Sequence, residues 1–239
     1  MDVATAIGRL EAAGTEQYRA IYRRHGAHDP MYGVLVSTLD KLAREAKRDQ
    51  ALADALWATG NYDARLLACK VADPAAMSEE KLDAWLAEID VYVEVDIFVA
   101  SVASQVPGVR ARADRWAAEI RDWTSQAGWD LYAWLAINDR DLDDGYFLDL
   151  LARIERGIAT AGNRTRHSMN GTLIAIGVRN DDLRVAAEAA SGRIGIVVVD
   201  HGKTGCVTPA ALPYIAKTWD RRRASATRAA PSAATAGAR

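Results

Sequence analysis

The chain has 239 residues, 50% of them hydrophobic and 26% charged, at a formal net charge of −2. That balance excludes a disordered or fibrous chain and supplies enough apolar residues for a sizeable core. No run reaches the roughly 18 apolar residues of a membrane-spanning helix, and the start Met1-Asp2-Val3-Ala4 lacks the basic region of a secretory leader.

Helical signals then follow one another along the chain. Ser37 ahead of Leu39, Leu42, Ala43 and Ala46 predicts a capped amphipathic helix. Asp49 predicts the cap of the next, ending on Gly60. A third is expected over Tyr62–Val71, stopping before Asp73-Pro74. Ser78 caps a fourth with Leu82, Trp85, Leu86 and Ile89 on one face, and Asp90 is expected to cap Val91–Ala103 before Pro107. Further helices are predicted over 109–123, 128–138, 143–160, 166–178 and 181–191. Ile194-Gly195-Ile196-Val197-Val198-Val199 is strand-like but has no partner run, so it reads as a buried connector. Thr208-Pro209 is a start signal for a last helix carrying Leu212, Ile215 and Trp219. Residues 224–239 carry no core pattern and are expected to form a disordered tail behind one domain over 1–223.

Helix pairs recurring at roughly 30 to 45 residues have the spacing of HEAT-type units. The fold class expected is therefore all-α, an α-solenoid curved around a concave binding face. Cys69 and Cys206, the two cysteines, read as buried, reduced thiols of a cytoplasmic protein.

Charge is unevenly divided. Residues 1–150 hold 16 Lys+Arg against 26 Asp+Glu, whereas 151–223 hold 12 against 6. A polyanion would meet the basic part, together with Arg110, Arg112, Arg115 and Arg121, although each of these arginines can equally lie over apolar surface. The stretch Asp200-His201-Gly202-Lys203-Thr204-Gly205-Cys206 invites a metal or nucleophile reading. It lacks a second His/Cys pair at ligand spacing, so a glycine-rich turn is the simpler account and no metal site is expected.

Several blocks are more distinctive. Tyr32-Gly33-Val34, Leu56-Trp57-Ala58-Thr59-Gly60-Asn61-Tyr62-Asp63-Ala64-Arg65, Asp90-Val91-Tyr92-Val93-Glu94-Val95-Asp96 and Asn163-Arg164-Thr165-Arg166-His167-Ser168-Met169-Asn170-Gly171, continuing to Gly177, together resemble the AlkD-like DNA alkylation repair family, in a divergent subgroup, over about residues 30–220. That resemblance implies a monofunctional glycosylase of HEAT-like repeats. Such an enzyme hydrolyses the N-glycosidic bond of cationic N3- or N7-alkylpurines in duplex DNA, as a monomer and with no cofactor. It implies Asp96 as the catalytic carboxylate, stabilising positive charge on the sugar and orienting water. Tyr92, one helical turn before Asp96, stands where the family's active members carry tryptophan. Trp129 is a further aromatic candidate for the concave face, with core packing as its alternative. Gly171 replaces another aromatic, and Tyr132-Ala133-Trp134 replaces paired arginines. Phosphate contacts then fall to Arg164, Arg166, His167 and Arg179. Non-catalytic binding of bent or branched DNA and a protein-binding scaffold are the competing readings.

Overall fold

The computed structural model describes residues 1–229, and their side chains through residue 225. Helices α1 (Val3–Ala13), α2 (Glu16–Arg24), α3 (Val36–Ala46), α4 (Gln50–Trp57) and α5 (Tyr62–Val71) open the chain. A 3₁₀ turn at Pro74–Ala76 leads to α6 (Glu79–Glu88) and α7 (Tyr92–Phe98), which runs on as a π-helical turn over Val99–Ala103. Then come α8 (Val109–Ala117), α9 (Asp122–Asn138), α10 (Asp144–Gly157), α11 (Asn163–Gly177), α12 (Asp181–Ile194) and α13 (Ala211–Ala229). No strand occurs among the described residues, and none of their helices is long and apolar enough to cross a membrane.

The starts are set by local chemistry. Asp2, Thr15, Asp49, Asn61, Ser78, Asp143 and Asn180 each accept a hydrogen bond from the backbone N–H three residues on. Gly60 takes a left-handed φ of 65°, which lets the chain turn from α4 into α5 within a few residues.

Packing builds the solenoid. Helices α3, α5, α7, α9 and α11 lie against one another in succession, while α4 backs α5, α8 backs α9, and α10 and α12 back α11. Two carboxylates, one buried and one half-buried, lock this inner row. Asp63 in the first turn of α5 accepts the N–H groups of Tyr32, Gly33 and Val34 at 2.7–2.9 Å, which fixes the segment leading into α3. Asp122 at the start of α9 does the same for α11, accepting from the N–H groups of Arg164 and Thr165 at 2.9 and 2.8 Å. The N-cap of α11, Gly162, has no side chain to supply that contact.

Several boundaries differ from expectation. Ser37 lies inside α3, whose N-cap is Leu35. Asp90 does not cap α7; Val91 holds that position, and the Asp90 carboxylate faces His28 at 3.2 Å. The break expected near residues 124–127 falls at 118–121. Ser125, Gln126 and Gly128 are instead buried inside α9, where Gly128 lets the helix press onto α8. Thr208 binds the Nε2 of His201 at 2.8 Å, and α13 begins only at Ala211. The 194–199 connector is not buried: Ile196 and Val198 are 90% and 70% exposed. Cys69 is buried, whereas Cys206 is exposed. Helix α13 continues through residues 224–229 of the expected tail, and residues 230–239 lie outside those described.

Candidate nucleic-acid interface

The inner row presents α7, α9 and α11 side by side, and the first turn of α7 carries Tyr92 with Asp96 one turn further. Asp96 is open to solvent although its neighbours Val95 and Phe98 are fully buried, so it stands on the wetted face of an otherwise apolar helix. The Nε2 of Gln126 donates to its Oδ1 at 2.8 Å and also to the Tyr92 carbonyl at 3.2 Å. Asp130 follows one turn later on α9, and its Oδ2 is buried without a hydrogen-bond partner.

Protein crowding around the Asp96 carboxylate raises its pKa to about 6, against the opposing pull of the Gln126 hydrogen bond and the Arg164 charge. Burial, and then the neighbouring Asp96 charge, push Asp130 up to about 8. The two carboxyls titrate as one coupled pair, in which Asp96 gives up its proton before the more deeply buried Asp130. Glu94, on the opposite side of α7, is buried and also raised to about 8 by its burial.

Above this floor the guanidinium of Arg164 lies 3.8 Å from the Tyr92 ring centroid. The Tyr92 hydroxyl shares a short hydrogen bond with Nδ1 of His25. His167 meets His201 edge to face at 5.5 Å, and burial, the His201 ring and Arg164 hold its pKa below the usual histidine value. Arg24, His25, Tyr92, Arg164 and His201 line one open cleft of about 390 Å³, with Asp90, Asp122 and Asp200 at its walls. Four of the sequence candidates thus converge: Asp96, Tyr92, Arg164 and His167.

The other candidates are placed elsewhere. Trp129 is 4% exposed, packed edge-on against Tyr132 and covered by Arg153, so packing rather than a groove contact accounts for it. Arg166 donates to the carbonyls of Ile158, Val198 and Ala161 at 2.9–3.1 Å, which ties the 194–199 connector to α11. Arg179 donates to the carbonyls of Ala136, Asp139 and Leu142 at the end of α9. The earlier arginine cluster is structural too. Arg112 is buried against Glu79 and three carbonyls, Arg115 pairs with Asp83, and Arg121 bonds the carbonyls of Leu86 and Ile89. Arg110 lies over Tyr146.

His25, Gln126 and Asp130 were not anticipated. A Gln and an Asp four residues apart between buried apolar positions of one helix were the available signal, hidden by placing a helix break across Gln126. The 200–206 turn is held by its own bonds, Asp200 Oδ1 accepting from the Gly202 N–H and Thr204 donating to the His201 carbonyl. Gly171 is exposed on α11, and a Cβ there would meet nothing within 4 Å.

Comparison with known proteins gives this arrangement its context. A family model described as DNA alkylation repair enzyme matches residues 6–197. An uncharacterised protein of Listeria innocua is 31% identical over 89% of this chain and 95% of its own length. One from Listeria monocytogenes is 30% identical, covering 90% and 96% respectively. A solved structure from a family described as related to the HEAT-like repeat DNA glycosylases, with affinity for branched DNA structures, superposes with a TM-score of 0.85. It is 33% identical, over 93% of this chain and 96% of that one.

Proposed function

The chain belongs to the DNA alkylation repair enzyme family, and from that premise we propose that it binds bent or branched DNA along the face lined by α7, α9 and α11. The observation that carries this reading is the state of the floor aromatic. Tyr92 is covered by Arg164 on its ring and engaged by His25 at its hydroxyl, so the face offers cations to phosphates and no bare ring to a base. Gly171 on α11 likewise offers no side chain. Affinity for branched DNA in the structural relative supports the choice of partner.

In this reading Arg164 works twice, stacking on Tyr92 and facing the phosphate backbone with its outer edge. Replacing it by glutamine should weaken binding similarly for all sequences and make the salt dependence shallower by about one unit of slope. Fluorescence anisotropy across a salt series measures both. Unchanged affinity in Arg164→Gln counts against this face.

A second reading is base excision, favoured specifically by Asp96. Asp96 stands on the exposed side of α7, gives up its proton before Asp130 and accepts a hydrogen bond from Gln126. An anion so placed stabilises positive charge developing on a deoxyribose as a cationic N3- or N7-alkylpurine departs. The reaction needs the ionised form, so its rate should rise with pH through about 6. Release of free methylpurine from alkylated duplex, lost in Asp96→Asn, would establish it; absence of release leaves binding as the function.

A further inference from the structure

A cleft of about 630 Å³ lies away from Tyr92, between the last turns of α3 and α5 and the π-helical turn after α7. It gathers Arg44, Lys47, Arg48 and Lys70 against a single carboxylate, Asp40. Two of these cations are committed. Lys70 pairs with Asp40 at 2.8 Å, and Arg48 donates to the carbonyls of Ala72 and Ser101, which bridges the cleft walls. Arg44 and Lys47 are exposed, and neither side chain has a hydrogen-bond or ion-pair partner among the described residues. Like charges gathered in one concavity repel one another unless an anion joins them.

Lys47 adds an independent observation. It ends α3 at φ 61° and ψ −162°, the only non-glycine residue at positive φ among those described. Glycine is the residue this backbone favours, and a side chain there is held under strain. Cations at the end of α3 complement its dipole, which accounts for Arg44 but equally well for a lysine one turn earlier. It gives no reason to keep a lysine where a glycine fits better.

Position completes the argument. Ala100, on the cleft wall, lies one turn beyond Asp96 and is exposed like it, so the cleft continues the same inner face toward the far ends of its helices. Cations therefore stand at both ends of the Asp96 line, Arg24 and Arg164 at one, Arg44 and Lys47 at the other. The geometry points to a second phosphate-backbone site at Arg44 and Lys47, taking a second arm of the DNA whose first arm meets Arg164. This rests on the DNA-binding reading above and specifies how a branched or sharply bent form is preferred over a straight duplex.

The test is the pair Arg44→Gln with Lys47→Gly, titrated against a four-way junction and against a linear duplex with the sequence of one arm. Glycine suits the backbone at residue 47, so the thermal midpoint should hold or rise, which separates lost contact from lost fold. Junction affinity should fall about tenfold with a salt slope shallower by about two, while linear-duplex affinity is unchanged. Wild-type junction binding by the pair, alongside weakened binding by Arg164→Gln, would overturn the second site and leave the first standing. An equal loss on both DNAs would also overturn it, by placing the cleft on the first duplex. Absence of any DNA binding by the unaltered protein would remove both readings together.

Discussion

Glu94 shows how much the inner helix tolerates beneath the accessible face. Its carboxyl is 3% exposed, its Oε1 has no hydrogen-bond partner, and Arg65 only partly offsets a burial reinforced by the charges of Asp90 and Glu88. With the folded pKa raised from 4.5 to about 8, the folded state holds a proton that the unfolded chain has already lost. The stability contributed by protonation is therefore complete below about pH 4.5 and disappears as pH climbs through 8. Glu94→Gln should match the wild type at pH 4 and exceed it at pH 9 by on the order of a few kcal/mol. Urea denaturation at the two pH values measures this, and equal stability at pH 9 would contradict an uncompensated buried carboxyl. Asp96 and Asp130 titrate over the same range, so the variant flattens part of the pH profile rather than all of it.

Among the elements, α9 decides the site, and it is the one the sequence concealed. It turns Gln126 toward α7 and Ser125 and Gly128 toward α8, residues that read as a loop when only propensity is weighed. Tertiary contacts reverse that reading: Ser125 Oγ donates to the Ala117 carbonyl, and a Cβ on Gly128 would sit 2.2 Å from the Ala117 nitrogen. Gly128→Ala should consequently destabilise the protein by about 1–3 kcal/mol, the usual cost of forcing atoms into a filled contact. A midpoint unchanged in urea would show that α8 and α9 are not so close. Where capping chemistry is local, as at Asp49, Asn61 and Ser78, the sequence placed helices well, and α5 was legible to the residue. Where an end is set by a distant partner, as with Asp122 holding α11 or Thr208 binding His201, no local pattern could reveal it. The same division holds for the site. Asp96 and Tyr92 came from resemblance, Arg164 and His167 from the need for phosphate contacts elsewhere, and the four meet in space. The guanidinium groups of Arg166 and Arg179 are instead taken up by backbone carbonyls 5 to 43 residues away, which the local sequence does not reveal.

At the scale of the whole molecule, a chain of net charge −2 is an unpromising polyanion binder unless its cations are arranged. The arrangement is by face rather than by segment. Arginines of both halves, Arg112, Arg121, Arg166 and Arg179 among them, are committed to backbone carbonyls, while Arg164, Arg44 and Lys47 stand along the inner row. The central claim is that this row binds DNA through phosphates at two places and prefers a branched form. The most direct measurement is competition of a four-way junction and a linear duplex of equal length for the unaltered protein across a salt series. The account predicts that the junction binds about tenfold more tightly at low salt and loses affinity more steeply as salt rises. Equal affinities with equal slopes would contradict it.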